Sequence, residues 1–146
     1  MDRLMSGPLT RPSPPRGEGE KVVEVVAAVI ERGGRILIAR RRAGSHLGGL
    51  WEFPGGKRQA GETPEAALVR EIREELDAAV TVGELVEDVE WTYPEKVVRL
   101  RFFRCALEDE PRAAEGQEIA WVAPADLGRY DFPPADGGLV ARLTRR

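Results

Sequence analysis

The chain has 146 residues, of which 42% are hydrophobic and 32% are charged, and its formal net charge at pH 7 is −3. This length and apolar content suit a single domain with one core, and the negative charge excludes a general attraction to nucleic acid polymers or anionic membranes. No apolar run reaches the length of a membrane span and the N-terminus lacks the apolar segment of a secretory signal, so we expect a cytoplasmic protein.

The first segment, residues 1–20, is predicted to be a disordered tail. It contains Pro8, Pro12, Pro14 and Pro15 together with three glycines, and it has too few apolar side chains to form a core. The folded domain is therefore expected to comprise residues 21–146.

From Lys21 onward the chain is rich in β-branched and apolar residues. The run KVVEVVAAVI, a turn at Glu31–Gly34 and the run RILIARR predict a hairpin of two largely buried strands. The next loop holds His46, the chain's one histidine, which we interpret as a surface or substrate-proximal residue because no second histidine exists to complete a metal site. Leu50–Pro54 predicts a short strand leading into a glycine-rich loop at Gly55.

An acidic helix follows the glycines. Thr63 is the predicted side-chain N-cap and Pro64 the first helical residue. Within the helix, Glu71, Glu74 and Glu75 stand three and four positions apart, so their carboxylates share one face beside an apolar stripe. Such crowding is typical either of a solvated charged face or of a face that binds a hard divalent cation.

The remaining elements are predicted to be two long strands around Pro94, a strand at Ile119–Val122, a helical turn at Pro124 and a closing helix at Leu139–Arg145. Cys105, the single cysteine, lies in an apolar run of the second long strand and is predicted to be a buried structural thiol. This order of elements predicts an α/β sandwich with a mixed sheet between two helical layers.

One motif extends the acidic helix into a longer pattern. Gly56, five residues, Glu62, seven residues and then REIREE from Arg70 to Glu75 resemble the Nudix box of the Nudix hydrolases. The box usually has a glycine two residues after its last glutamate, where this chain has Asp77. Because Asp tolerates the left-handed conformation better than most residues, we expect this departure to affect the helix cap more than the chemistry.

The resemblance implies a Nudix-type α/β/α sandwich and a role for each residue of the box. Glu62 and Arg70 would form a supporting ion pair, and Glu71 would orient or deprotonate the attacking water. The metal, Mg²⁺ or alternatively Mn²⁺, would be held by oxygen ligands. The implied ligands are the Gly55 carbonyl and the carboxylates of Glu71, Glu74, Glu75 and, from a later loop, Glu115.

Two further segments, Gly49–Lys57 and Asp131–Asp136, are similar to the MutT branch of the family, the 8-oxo-dGTP diphosphatases. The predicted substrate contacts are Lys57 and Arg58 with phosphate oxygens, Phe132 with the base, and Asp136 with the N1–H and amine of guanine. For the Phe132 segment a hydrophobic elbow that holds the last helix is an equally good interpretation.

The implied function is metal-dependent hydrolysis of an oxidised or canonical nucleoside triphosphate to the monophosphate and pyrophosphate, as in cleansing of the nucleotide pool. Two alternatives stay open: the same chemistry on another nucleotide, such as a pyrimidine triphosphate, and a nucleotide-binding module without turnover. The intact set of Glu71, Glu74 and Glu75 favours an enzyme. The sequence leaves open whether the protein is a monomer or a homodimer.

Overall fold

The computed structural model describes residues 21–44 and 48–145 of the chain. The predicted tail of residues 1–20 and the loop histidine, His46, lie outside the described residues. None of the helices in the described part has the length and apolar character needed to span a bilayer.

Seven strands and two α-helices make up the described chain. The strands are β1 (Lys21–Arg32), β2 (Arg35–Arg40), β3 (Trp51–Glu52), β4 (Gly55–Lys57), β5 (Val80–Thr92), β6 (Lys96–Leu107) and β7 (Ile119–Val122). The helices are α1 (Pro64–Leu76) and α2 (Gly137–Thr144), and two 3₁₀ turns lie at Pro124–Arg129 and Pro134–Asp136. The predicted hairpin, long strands and helices are present, with α2 beginning two residues before the predicted Leu139.

The strands form one mixed sheet in the order β3-β2-β1-β6-β5, with β4 paired to β1 and β7 paired to β2. The long strand β1 runs parallel to β6 and antiparallel to β2 and β4. Because β1 is paired with β4 from Val25 to Ala27, it places the glycines of β4 in the middle of the sheet.

Alternation along β1 divides the core into two layers, since successive side chains of a strand point to opposite faces. Val26 and Ala28 pack in a cluster with α1, whereas Ala27 and Val29 pack in a cluster with α2. The sheet therefore lies between two helical layers, which confirms the predicted α/β sandwich. Cys105 is buried in the first cluster, and burial raises the pKa of its thiol to about 12, as expected of a structural cysteine.

The glycine-rich segment is the main departure from the predicted elements. Gly55–Lys57 is a strand rather than a loop, because its backbone pairs with Val25, Val26 and Ala27 of β1. A side chain would prevent this pairing, since a Cβ on Gly55 would lie 2.0 Å from the carbonyl oxygen of Val26. The composition alone indicated flexibility, whereas the glycine serves a close approach of two backbones.

Candidate active site

Helix α1 begins and ends where the sequence predicts. The Thr63 hydroxyl accepts a hydrogen bond from the Ala66 N–H at 3.0 Å, and Pro64 occupies the first turn. At the other end, Asp77 adopts φ 50° and ψ 44°, and its N–H donates to the Arg73 carbonyl. Asp77 therefore takes the left-handed cap conformation for which glycine is the usual residue.

The buried stripe of α1 fixes the direction of its acidic face. Leu68, Ile72 and Leu76 are fully buried against the sheet, so Glu71 and Glu75, on the adjoining face, meet β4. A Cβ on Gly56 would lie 2.3 Å from the Glu71 carboxyl carbon, and the Gly55 N–H donates to Glu75 Oε1 at 3.2 Å. The two glycines thus allow the acidic helix to approach the sheet closely.

A cavity of about 500 Å³ opens beside this contact. Six of the residues predicted to form the site line it: Gly55, Lys57, Glu71, Glu75, Glu115 and Asp136. Its volume falls in the range of small-molecule sites. Residues from the box, from the loop before β7 and from the C-terminal segment therefore meet at one cavity.

Glu75 is the most perturbed acid of the acidic face. Burial raises its pKa to about 9, and the neighbouring carboxylates of Glu52 and Glu71 act in the same direction. Burial also raises the pKa of Glu71, where Arg70 opposes the change. A buried carboxylate surrounded by like charges gains stability when a cation joins it.

The predicted Glu62–Arg70 ion pair is present and bidentate. Arg70 Nε lies 2.7 Å from Glu62 Oε2, and Arg70 Nη2 lies 3.0 Å from Glu62 Oε1. The same guanidinium donates to Glu71 Oε2 at 2.9 Å and to the Lys57 carbonyl at 3.0 Å. The hydrogen bonds from Arg70 lower the pKa of Glu62 to about 2. Arg70 therefore links the loop before α1, strand β4 and the Glu71 carboxylate.

The acidic side chains at the cavity are of the ligand type that divalent metals prefer, although they are not grouped as closely as in a formed metal site. Within residues 21–44 and 48–145, no three acidic, histidine or cysteine side chains are grouped closely enough to hold an ion. Glu71, Glu75 and Glu115 nevertheless line one cavity, and both Glu71 and Glu115 raise the pKa of Glu75. Carboxylate and carbonyl oxygens are the ligands that Mg²⁺ and Mn²⁺ prefer. The donor set therefore suits a hard cation.

Comparison with known proteins identifies the family. A model of the NUDIX domain matches residues 25–142. The chain belongs to the Nudix family. The CTP pyrophosphohydrolase of Escherichia coli K12 is 42% identical over 117 residues, covering 80% of this chain and 87% of that protein. The 8-oxo-dGTP diphosphatase of the same organism is 37% identical over 127 residues, covering 86% of this chain and 98% of that protein.

Solved Nudix structures share the fold. The E. coli ORF135 protein superimposes with a TM-score of 0.77 at 39% identity, covering 87% of this chain and 91% of that one. The MutT protein of methicillin-resistant Staphylococcus aureus superimposes with a TM-score of 0.72 at 37% identity, covering 86% and 98%. The Nudix-type sandwich is thus supported both by topology and by superposition.

Glu74 of the Nudix box lies apart from the cavity. Its side chain is 53% exposed, and its nearest polar contact is Arg70 Nη1 at 3.4 Å. Glu75, the next residue, instead points toward Gly55. Since consecutive helical residues project about 100° apart, the two acids cannot face β4 equally. The predicted role of Glu74 as a ligand stays a prediction.

The structure does not bring Arg58 to the cavity, contrary to the predicted phosphate contact. Arg58 Nη2 lies 2.6 Å from Glu24 Oε2, and Arg58 Nη1 donates to the Glu62 carbonyl at 2.8 Å. The physical reason is alternation, since Lys57 ends β4 with its side chain at the cavity and the next residue points to the other face. Lys57 is the cation of this pair that can meet a phosphate.

Phe132 is half-buried and packs against the core, and it is not among the residues that line the cavity. Its ring stacks on Phe53 with centroids 5.3 Å apart and an interplanar angle of 25°, and Phe53 in turn meets Phe102 edge to face. The stacking supports the other interpretation, a hydrophobic elbow, and the contact of Phe132 with the base stays a prediction. Apolar character alone could not distinguish the two.

Asp136 is a buried acid at the cavity wall. It is 5% exposed, and no residue in the described ranges hydrogen-bonds to its carboxyl group. Burial raises its pKa to about 8, with Glu52 acting in the same direction and Arg41 opposing it. The sequence predicted Asp136 as a substrate contact, and the structure places it where a ligand can reach it.

Sequence reasoning missed five charged residues that line the cavity, of which Arg41 and Glu52 are paired with each other. Arg41 Nη1 lies 2.7 Å from Glu52 Oε1. Glu52 influences both Asp136 and Glu75, because it raises the pKa of each. An acid inside the apolar run Leu50–Pro54 was the available signal.

Proposed function

We propose that this Nudix protein hydrolyses nucleoside triphosphates to the monophosphate and pyrophosphate with the help of a divalent metal. The observation that carries the proposal is the meeting of the acidic face of α1 with the two glycines of β4 at the cavity wall. Relatives at 37% and 42% identity are named for this class of reaction. The substrate is accordingly a nucleoside triphosphate, as in cleansing of the nucleotide pool.

The metal is Mg²⁺, with Mn²⁺ as its substitute. Glu71, Glu75 and Glu115 would hold it with the Gly55 carbonyl, and Glu74 is the further predicted ligand. When bound, such an ion neutralises charge on the phosphate oxygens and lowers the pKa of water.

The chain's own residues position the reacting groups. Glu71 accepts a proton from the attacking water, which adds to phosphorus as the phosphoanhydride oxygen leaves. The bidentate Glu62–Arg70 pair holds the Glu71 carboxylate in place through the 2.9 Å bond from Arg70. Lys57, whose side chain reaches the cavity, binds a phosphate oxygen.

The protonation state of Asp136 affects which base the site would bind. Cytosine is a second candidate beside oxidised guanine. An ionised carboxylate accepts two hydrogen bonds, which suits the N1–H and amine of guanine. A protonated carboxyl donates one and accepts one, which suits N3 and the amine of cytosine. Since the pKa of Asp136 is raised to about 8, its neutral form is available at neutral pH and supports a pyrimidine substrate.

The test is product analysis across a panel of CTP, dCTP, dGTP and 8-oxo-dGTP with Mg²⁺. We expect pyrophosphate and a nucleoside monophosphate from at least one of them, and no reaction after chelation of the metal. Release of orthophosphate would contradict the proposed bond cleavage. Binding of every nucleotide without turnover would instead support the binding module.

A further inference from the structure

The side chain of Gln117 connects two of the acids at the cavity. Its Nε2 donates to the backbone carbonyl of Glu75 at 2.9 Å, and its Oε1 accepts from the backbone N–H of Glu115 at 3.0 Å. An amide side chain can donate and accept at the same time, which a carboxylate or an apolar side chain cannot do. The half-buried Gln117 thus bridges the end of α1 and the loop that carries Glu115.

The same loop is attached to the end of α1 at two further points. The Ala114 N–H donates to the Glu75 carbonyl at 3.0 Å, and the Arg112 N–H donates to the Leu76 carbonyl at 2.8 Å. The last carbonyls of a helix have no partner within the helix, so the loop satisfies them. Of these contacts, that of Gln117 is the one that also reaches the backbone of Glu115.

Glu115 itself needs such support. It is exposed on a loop, and an exposed glutamate loses rotamer and backbone freedom when it is fixed by a ligand. A contact that already orders its backbone lowers this cost, as preorganisation does in binding sites generally.

We propose that Gln117 is a positioning residue that holds Glu115 in register with Glu75 and so sets the affinity of the site for a divalent cation. The inference rests on the proposed function, in which Glu75 and Glu115 serve one metal. Gln117 acts here through the two backbones and does not touch the reacting atoms.

The decisive variant is Gln117→Met, which keeps the length of the side chain and removes both hydrogen bonds. The matched control is Gln59→Met, a change at the chain's other glutamine, which is exposed. Mn²⁺ binding to the full chain without nucleotide is measured by the electron paramagnetic resonance signal of the free ion. We expect Gln117→Met to weaken Mn²⁺ binding about tenfold, a typical loss when a ligand's supporting contact is removed, and Gln59→Met to leave it unchanged.

A double-mutant cycle separates positioning of Glu115 from other effects. If Gln117 acts through Glu115, adding Gln117→Met to Glu115→Gln causes no further loss of Mn²⁺ affinity. A second readout is the nucleotide KM at saturating metal. Gln117 lines the cavity, but both of its polar atoms are bonded to backbone groups, so the KM should stay at the wild-type value if Gln117 acts only through Glu115. Should Gln117→Met fail to fold, Gln117→Asn, which is one methylene too short to bridge both partners, takes its place.

Wild-type Mn²⁺ affinity in a folded Gln117→Met variant would overturn the inference, as would additive losses in the cycle. If Glu75→Gln weakens Mn²⁺ binding and Glu115→Gln does not, the inference fails while the proposed function stands. If neither change weakens Mn²⁺ binding, the proposed function itself fails.

Discussion

The two sides of the cavity are built in different ways. The side proposed to bind the phosphates comes mainly from one continuous stretch, in which β4, the Glu62 loop and α1 follow each other within about twenty residues, and Glu115 joins it from a later loop. The side that holds Asp136 is assembled from segments far apart in the chain, with Arg41, Glu52 and Tyr93 beside it. Local periodicity fixes the first side, whereas only tertiary packing fixes the second. Substitutions on the first side should therefore affect turnover. Substitutions on the second side should affect the choice of base and the stability of the fold.

The largest effect is expected from Glu75→Gln. This change removes the ionisable carboxyl group that contacts Gly55 at the cavity wall, and loss of a metal-binding carboxylate should lower kcat by about two orders of magnitude or more. The exposed first-turn acid supplies the control, since Glu65→Gln should retain wild-type turnover. Steady-state kinetics with Mg²⁺ and circular dichroism decide the matter, and an active, folded Glu75→Gln enzyme would break the assignment.

A smaller loss of turnover is expected from Gly56→Ala. The added methyl would lie 2.3 Å from the Glu71 carboxyl carbon, so the carboxylate must move from its position beside Arg70. Because small displacements of reacting groups are costly, kcat should fall about tenfold to a hundredfold. Gly128→Ala is the control, because a methyl group there meets no atom within 4 Å. Equal activity of the two variants would show that the position of Glu71 is unimportant.

On the other side of the cavity, Asp136→Asn should change the pH dependence of stability. The folded pKa of Asp136 is raised from its ordinary value of 3.8 to about 8, so the folded state binds the proton more tightly than the unfolded state. The free energy of unfolding of the wild type should therefore fall as pH rises between these two values. In Asp136→Asn this part of the fall should be absent, which urea unfolding at several pH values measures. Parallel profiles for the two proteins would argue against a buried acid.

The smallest effect on catalysis is expected from Phe132→Leu. Loss of the stacking on Phe53 should lower the free energy of unfolding by about 1 kcal/mol. The nucleotide KM should not change, because the ring packs against the core. Urea unfolding and steady-state kinetics test both points together. A raised KM at unchanged stability would instead support the predicted contact between Phe132 and the base.

The contrast between the two sides also explains what the sequence could predict. The Thr63 cap, the acidic face and the Glu62–Arg70 pair follow from spacing within one helix and the loop before it. Arg58 was predicted to lie at the cavity because β4 was interpreted as a loop. In a loop, successive side chains do not point to opposite faces as they do in a strand. The Gly55 contact with Val26 that makes β4 a strand is a tertiary contact, and composition does not contain it.

The C-terminal side of the cavity was harder to predict from the sequence, because the type of a side chain does not show whether it is buried in the core or lines the cavity. Phe132 and Asp136 stand four residues apart in one segment, yet the first packs against the core and the second lines the cavity. The raised pKa of Asp136 depends on burial and on Glu52, which lies in strand β3, far away in the chain. The sequence could therefore predict Asp136 as a contact for guanine, but the proposal that its neutral form suits cytosine required the fold.

The most direct test of the central claim is a crystal structure with Mn²⁺ and a non-hydrolysable nucleoside triphosphate analogue, with the metal located by anomalous scattering. The account predicts a Mn²⁺ peak between α1 and β4, bound by Glu71 and Glu75, with the phosphates against it. A peak elsewhere, with the analogue seated away from α1, would contradict the account even if the sandwich were unchanged.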